Sequence, residues 1–365
     1  MSHDIGILGD GCAALSLAAK AEQLPGHTIT LIRPNGAPKP KDHVWGFWSD
    51  DVLADAAQLA KGTWHKWAVL TPKRSVTMSS TSMPYNAMKR SDWTAHCQSL
   101  AQSSGVKFID QDDGQLEQHS TLFDTRPPVA PDDCILQHFH GLEIKTTTPV
   151  FEAETAILMD FRVDQSKGMH FIYLLPYSST EALIESTIFS TKLADEQFYL
   201  SAIDNYLAEH YHVEQYEITH REKGVIPLGK LAPHDDNIPG FGANGGATRP
   251  ASGYAFLFIQ RQISSAIERV NAGQELTFLN PHKRLDLWMD SVLLTVLRHW
   301  PEHGPNLFSN MARALTGDQF VQFLSGDAGW WIRLKVIFSM PKIPFIKALT
   351  KRAFTRTRVS TAVVG

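Results

Sequence analysis

Two features of the sequence could carry chemistry. The first is Glu185, inside the apolar, β-prone run from Ala182 to Phe189. Strand alternation puts Leu183, Glu185 and Thr187 on one face and Ile184, Ser186 and Ile188 on the other, so the carboxyl has apolar neighbours. Turned into an apolar tunnel it would lose hydration, rise above the roughly 4.3 of a free glutamate and stay protonated. That is the state a general acid needs. The second feature is Gly9-x-Gly11-x-x-Ala14. Glycines there permit a tight turn and close backbone approach, and a following helix offers free N–H groups, the arrangement that suits a dinucleotide pyrophosphate.

These residues need particular elements to hold them. Ile5 to Leu8 form a short apolar run, Leu15 to Ala21 a small-residue helical stretch, and Thr28 to Ile32 a β-branched run, so about 30 residues hold a complete βαβ unit. An acid normally closes the second strand to accept a ribose bond, but here the residue is Arg33. An arginine there allows ribose to be held otherwise, or favours a 2′-phosphate as in NADP. Met169 to Leu175 and Ala182 to Phe189, separated by Pro176-Tyr177-Ser178-Ser179, predict an antiparallel pair. A helix marked by Tyr199, Ile203, Tyr206 or Leu207, and Tyr211 follows, then a strand into Gly224–Gly229. A glycine-rich stretch from Gly240 to Gly253 leads to a helix with Phe256, Ile259, Ile263 and Ile267 on one face and a stop at Gly273.

Composition narrows the function further. A chain of 365 residues with 43% hydrophobic and 20% charged residues is globular and long enough for two joined lobes. A net charge of −4 supplies no basic field for nucleic acid. Cys12, Cys97 and Cys134 are too few and scattered for a disulfide framework or a metal cluster, which points to small buried hydrophobes in a reducing compartment. Asp4 and Asp10 interrupt the N-terminal apolar segment, and no positive region precedes it, so it reads as a first strand and not as a signal peptide. No stretch approaches the roughly 18 apolar residues of a membrane-spanning helix.

Several separated segments resemble the flavin-dependent lycopene cyclase family of bacterial and plant carotenoid pathways. His43-Val44-Trp45-Gly46-Phe47 resembles its His-x-Trp-x-Phe segment, and Phe123-Asp124-Thr125-Arg126-Pro127 its Asp-x-Arg turn. Met159-Asp160, then Phe171 to Pro176 and Leu183-Ile184-Glu185-Ser186-Thr187, are similar in order and spacing to the region of its Phe-Leu-Glu-Glu-Thr motif. Gly224 to Gly229 and Gly246 to Tyr254 resemble its second flavin-contacting stretch, and the likeness extends to about Leu349. Ser186 departs from the motif by replacing its second carboxylate, which leaves Glu185 without a paired acid there.

The resemblance implies an α/β fold: a Rossmann-type FAD-binding domain (1–75, 95–150 and 220–275), an antiparallel-sheet substrate domain (76–94 and 151–219), and a helical, membrane-associating C-terminal region (276–365). It implies FAD in its reduced form, NAD(P)H as reductant, and Gly9, Gly11, Ala14, Arg33, Trp45, Asp124, Arg126, Pro250, Gly253 and Tyr254 as cofactor contacts. The implied reaction is an isomerisation without net redox change: an acid protonates a terminal C=C bond of lycopene or a related acyclic carotenoid, the next double bond attacks the cation, and a ring proton leaves. Glu185 is the implied acid. Asp160 either assists it, receives the last proton or has a structural hydrogen-bonding role. Phe47, Phe171, Tyr173, Leu183 and Thr187 would line the substrate, and the faces of Trp45, Phe47, Phe171 and Tyr173 could stabilise the cation by about 0.5–2 kcal/mol each, or simply pack in the core. No metal is required.

After Asp327 there is no acidic residue, while Arg333, Lys335, Lys342, Lys347, Lys351, Arg352, Arg356 and Arg358 punctuate Trp330, Trp331, Ile337, Phe338, Met340, Ile343, Phe345, Ile346 and Phe354. This composition suits an interfacial anchor and predicts a peripheral protein on the cytoplasmic face of a membrane; a core-packed helix with a solvated face is the alternative. Two rival functions share the sequence features: a flavin monooxygenase or prenyl reductase, and a catalytically silent carotenoid-binding protein.

Overall fold

The structure, a computed structural model, describes residues 3–37, 41–111 and 119–362, with side chains to residue 352. The chain divides into two compact units, each of three segments: Met1–Thr63, Asn86–Asp132 and Lys230–His282 form the first, and Trp64–Tyr85, Asp133–Gly229 and Lys283–Gly365 the second.

The first unit holds a parallel sheet. Its strands are β1 (His3–Leu8), β2 (His27–Arg33), β8 (Lys107–Asp110) and β9 (Thr121–Asp124), in the order β8-β2-β1-β9. Ile5, Ile7, Ile29 and Leu31 are buried, the near-continuous apolar run expected of parallel strands covered on both faces. Their core is shared by helices α1 (Cys12–Ala18), α3 (Arg90–Ser103) and α5 (Phe256–Asn271), through Leu15, Leu17, Trp93, Cys97, Ile259 and Ile263. The helix α2 (Ala54–Gln58) and a small sheet of β3 (Val44–Trp48), β7 (Tyr85–Lys89) and β4 (Gly62–Trp64) complete it.

The second unit is built on a seven-stranded sheet in the order β14-β10-β13-β12-β11-β5-β6. These are β5 (Lys66–Thr71), β6 (Arg74–Ser79), β10 (Ile135–Lys145), β11 (Thr155–Asp160), β12 (Met169–Pro176), β13 (Glu181–Ser190) and β14 (Glu217–Leu228). All neighbours are antiparallel except β11 and β5. One face, carrying Leu142, Ile144, Ile172, Leu174, Ala182 and Ile184, packs on Ile203, Tyr206 and Leu207 of α4 (Glu196–Tyr211). Each leucine or isoleucine among them contributes about 1.5–3 kcal/mol by burial. Asp195 caps α4 by accepting from the Phe198 N–H at 3.0 Å, and His212 ends it with a left-handed φ of 56°. Helices α6 (Arg284–His299), α7 (Gly304–Ala314), α8 (Gly317–Leu324), α9 (Trp330–Ser339) and α10 (Lys342–Ala362) follow.

The segment boundaries differ from the sequence expectation. Strand β10 and most of β14, from residue 220 on, lie within stretches expected in the cofactor domain, but β10 pairs on one side with β13 and on the other with β14, so both belong to the large sheet. Residues 86–94 fall in the first unit, because α3 packs in its core, and the C-terminal helices cluster with the large sheet and are not a separate region. All three cysteines are free; Cys97 is buried as expected, whereas Cys12 and Cys134 are half-buried. Burial pushes the thiols of Cys12 and Cys97 up to about 12, so neither is a reactive thiolate.

Candidate active site

Glu185 sits at the middle of β13, between Tyr173 on β12 and Gly141 on β10. Beyond Gly141, in register on β14, stands Glu222. Gly141 has no side chain, so the two glutamates occupy the space above it. A Cβ added there would lie 3.0 Å from Cγ of Glu185 and 2.9 Å from Cγ of Glu222. Both glutamates are buried. Burial first, then the negative charge of Glu222 and a hydrogen bond with it, hold the Glu185 carboxyl well above the ordinary carboxylate range; the Thr187 hydroxyl pulls the other way. Burial and the neighbouring carboxylate therefore both favour the protonated acid in the folded protein.

The face around this acid mixes buried apolar and aromatic side chains with further polar groups. Leu183 and Thr187 share its face of β13 and are fully buried. On β12, Phe171 packs against Phe161 and Phe189, and the hydroxyl of Tyr173 hydrogen-bonds that of Tyr85 at 2.9 Å. The buried Glu143 and the half-buried Tyr177 lie close by: desolvation, then the charges of Glu143, Glu222 and Glu185, push the Tyr177 phenol up. Four of the five expected substrate-lining residues thus share this sheet face. The fifth, Phe47, lies in the core of the first unit, edge-on to Phe256 at 5.4 Å.

Asp160 is fully buried but on the opposite face, the one covered by α4. Arg162 holds it with Nη2 2.6 Å and Nε 2.9 Å from the carboxylate, and the Tyr206 hydroxyl donates to it at 2.7 Å. The structure does not bring it beside Glu185. Ser186 also points to the α4 side. Its hydroxyl lies 2.8 Å from Nε2 of His170, whose Nδ1 meets the Asp164 carbonyl at 2.6 Å. Burial pushes the His170 pKa down, so the ring is neutral, donates through Nδ1 and accepts the serine proton at Nε2. The expectation that Ser186 leaves Glu185 without a paired carboxylate is corrected: the second carboxylate comes from β14. Sequence reasoning missed Glu222 and Gly141. The available signal was Gly141 itself, a glycine inside a β-prone run, which marks close approach of neighbouring groups.

In the first unit, the expected strand-turn-helix places Gly9 after β1 and Gly11 at the N-cap of α1. Gly9 has φ +117°, and a Cβ there would overlap the Thr125 hydroxyl. A Cβ at Gly11 would meet nothing within 4 Å, so the turn is open where a pyrophosphate would need room, and Ala14 is buried in the core. Arg33 reaches back to Asp10 at 3.6 Å, so an acid does stand near this strand end, within the turn itself. Asp124, fully buried, accepts from the backbone N–H and the guanidinium of Arg126. The second glycine-rich stretch packs onto α1, since a Cβ at Gly242 would overlap Cβ of Ala13. Arg249 N–H donates to the Tyr254 carbonyl at 2.7 Å, closing the turn that contains Pro250 and Gly253. Tyr254 stacks edge-on to Trp48 at 5.6 Å, and the half-buried Trp45 packs on Phe256. These residues fit a dinucleotide cofactor.

The C-terminal helices expose large apolar groups: Trp331 is 81% exposed, Phe338 73%, Trp330 69% and Ile343 68%. Lys335, Lys342, Lys347 and Lys351 are exposed beside them. Arg333 is not part of that surface; it is buried, with Nε and Nη2 each 2.9 Å from the carboxylate of Asp286. Phe354, Arg356 and Arg358 lie outside the described side chains. No helix among the described residues is long and apolar enough to cross a membrane.

Known proteins resemble this chain in sequence and in fold. The chain is 26% identical to lycopene beta-cyclase of Paracoccus sp. (strain N81106 / MBIC 01143) over 280 residues, 71% of each protein. It is 23% identical to lycopene beta-cyclase of Pantoea ananas, covering 95% of this chain and 97% of that one. Among solved structures, a flavin-dependent brominase superposes with a TM-score of 0.60 at 14% identity, covering 97% of this chain and 100% of that one. A geranylgeranyl bacteriochlorophyll reductase-like protein of Thermoplasma acidophilum does so with 0.58 at 11% identity, covering 96% and 99%. These two likenesses concern the fold: a parallel sheet, a large mainly antiparallel sheet and C-terminal helices. Residues 4–350 match the family described as "Lycopene cyclase protein", and the chain belongs to that family.

Proposed function

We propose that this enzyme is a lycopene β-cyclase, which closes the ψ end groups of lycopene into β-ionone rings without net redox change, giving β-carotene by way of γ-carotene. The observation that carries this reading is the buried Glu185, its carboxyl held well above the ordinary range by burial and by Glu222, on a sheet face that also carries Leu183, Phe171 and Tyr173, in the segment that resembles the family motif. An alkene is a very weak base, so it needs an acid that is still protonated at neutral pH and a site from which water is excluded. Glu185 gives its proton to the terminal C=C bond, the next double bond closes the ring onto the cation, and a carboxylate of the same face takes the ring proton. The flanking rings of Phe171 and Tyr173 offer π faces to the cation.

FAD is the proposed cofactor, in reduced form with NAD(P)H as reductant, held by Gly9, Gly11 and Ala14 with the Asp124–Arg126 and Pro250–Tyr254 turns. When bound, a reduced flavin supplies an electron-rich ring that favours positive charge, with no hydride transferred. The exposed tryptophans, phenylalanine and lysines of α9 and α10 support peripheral docking on the cytoplasmic face of the membrane, where a water-insoluble carotenoid resides.

The test is pigment analysis of a lycopene-accumulating bacterial host expressing the protein, beside Glu185→Gln matched for expression and bound flavin. The parent should form ringed carotenes and the variant should leave lycopene acyclic. Unchanged lycopene with the parent would overturn the reading, and stoichiometric NADPH loss with substrate would point to a reductase or monooxygenase.

A further inference from the structure

We propose that Glu222 is a positioning residue for the cyclisation: it shares a single proton with Glu185 across the gap left by Gly141, and so keeps Glu185 in its acid form. This deepens the cyclase reading and rests on it for the reaction, though not for the proton itself. Three strands build the arrangement. Glu185 and Glu222 are both in register with Gly141, one on each side of β10. Any side chain at Gly141 would stand between them, since a Cβ there comes within 3.0 Å of both Cγ atoms. Both glutamates are buried, so two charges here would repel in a poorly hydrated space. One proton held between two carboxylates relieves that repulsion. The titratable groups that alternate onto this face from the neighbouring strands include Glu143 and Lys145 on β10, Glu181 on β13, His220 on β14 and Tyr173 on β12, with Tyr177 in the turn after it and Tyr85 beside Tyr173. The lysine of β10 on this face, Lys145, lies at the strand end, two alternations from Gly141, and is ion-paired with Glu181 at 3.1 Å, while Arg221 and Lys223 of β14 fall on the other face.

The arrangement also accounts for the proton balance. The O–H bond of Glu185 breaks as a C–H bond forms at the terminal alkene, and the C–C bond closes the ring. Glu185, now an anion beside the charged Glu222, takes the ring proton as that C–H bond breaks, and the pair again shares one proton. No electron leaves the substrate.

The experiment uses the purified, flavin-loaded protein and its Glu222→Gln and Glu185→Gln variants. Each is titrated by infrared difference spectroscopy for the C=O stretch of a protonated carboxyl, and each is assayed for ring formation across pH. The parent should show one such carboxyl through neutral pH, absent in Glu185→Gln. In Glu222→Gln the loss of negative charge should let that band titrate about one pH unit lower or more. The alkaline fall in activity should move with it, so the rate above both values drops about tenfold while bound flavin is retained. An unmoved band and an unmoved pH profile in Glu222→Gln would overturn the proposal. If the parent closes no ring on any acyclic carotenoid, the cyclase reading fails by itself, and the infrared comparison still decides whether the proton is shared.

Discussion

A carboxyl that burial and a neighbouring charge keep protonated binds its proton more tightly in the folded chain than in the unfolded one. As pH rises above the roughly 4.3 of a free glutamate, the unfolded chain gives up that proton and the folded chain does not, so stability declines through this window. Glu185→Gln should therefore raise the melting temperature at pH 7–8 and change it little near pH 4, while ring formation falls by about 10²-fold or more. Melting curves at the two pH values check this, and a variant equally destabilised at both would contradict it. Gly9 makes the opposite demand. Its φ of +117° and the Thr125 hydroxyl leave no place for a methyl group. Gly9→Ala should cost about 1–3 kcal/mol and bring the protein out of purification with less flavin, read by denaturant unfolding and flavin absorbance.

Among the elements, the two faces of the large sheet have different tasks. The face toward α4 is structural, with Asp160 clamped by Arg162 and Tyr206 and Ser186 held by His170. Tyr206→Phe should cost about 1.5–3 kcal/mol, the value of a hydrogen bond to a buried charge, and leave the rate per folded molecule unchanged. A falling rate at constant stability would give Asp160 a part in the chemistry. This division explains what could be read in advance. The β12–β13 pair, α4, α5 and the first βαβ unit follow from local periodicity, because burial of one face writes itself into neighbouring residues. Glu185 was legible for the same reason. Glu222 was not: its surroundings, His220-Arg221-Glu222-Lys223, look like a solvated edge strand, and only the register of β14 on β10 turns the glutamate inward. The placement of Arg333 was hidden likewise, since its partner Asp286 comes from α6 and no spacing along the chain announces it.

For the molecule as a whole, each unit is assembled from three separate stretches of chain, so neither can be released by a single cut. The exposed Trp330, Trp331 and Phe338, with lysines around them, should bind anionic vesicles, and each lysine near the surface adds about 1 kcal/mol. Replacing Trp331 and Phe338 by serine should weaken cosedimentation with such vesicles and leave the melting temperature unchanged, because neither side chain is buried. Binding should also fall with added salt. Equal sedimentation of parent and variant would move the docking surface elsewhere. The cysteines offer a different kind of access to the same molecule. Cys97 lies in the core of the first unit and Cys12 directly follows the glycine turn, both with thiols too weakly acidic to react as they stand, whereas Cys134 belongs to the second unit. An alkylating reagent thus becomes a clock for breathing motions: its rate at Cys97 reports how often the first unit opens, its rate at Cys134 serves as the reference from the second, and slowing at Cys12 alone would time the arrival of a ligand at the glycine turn.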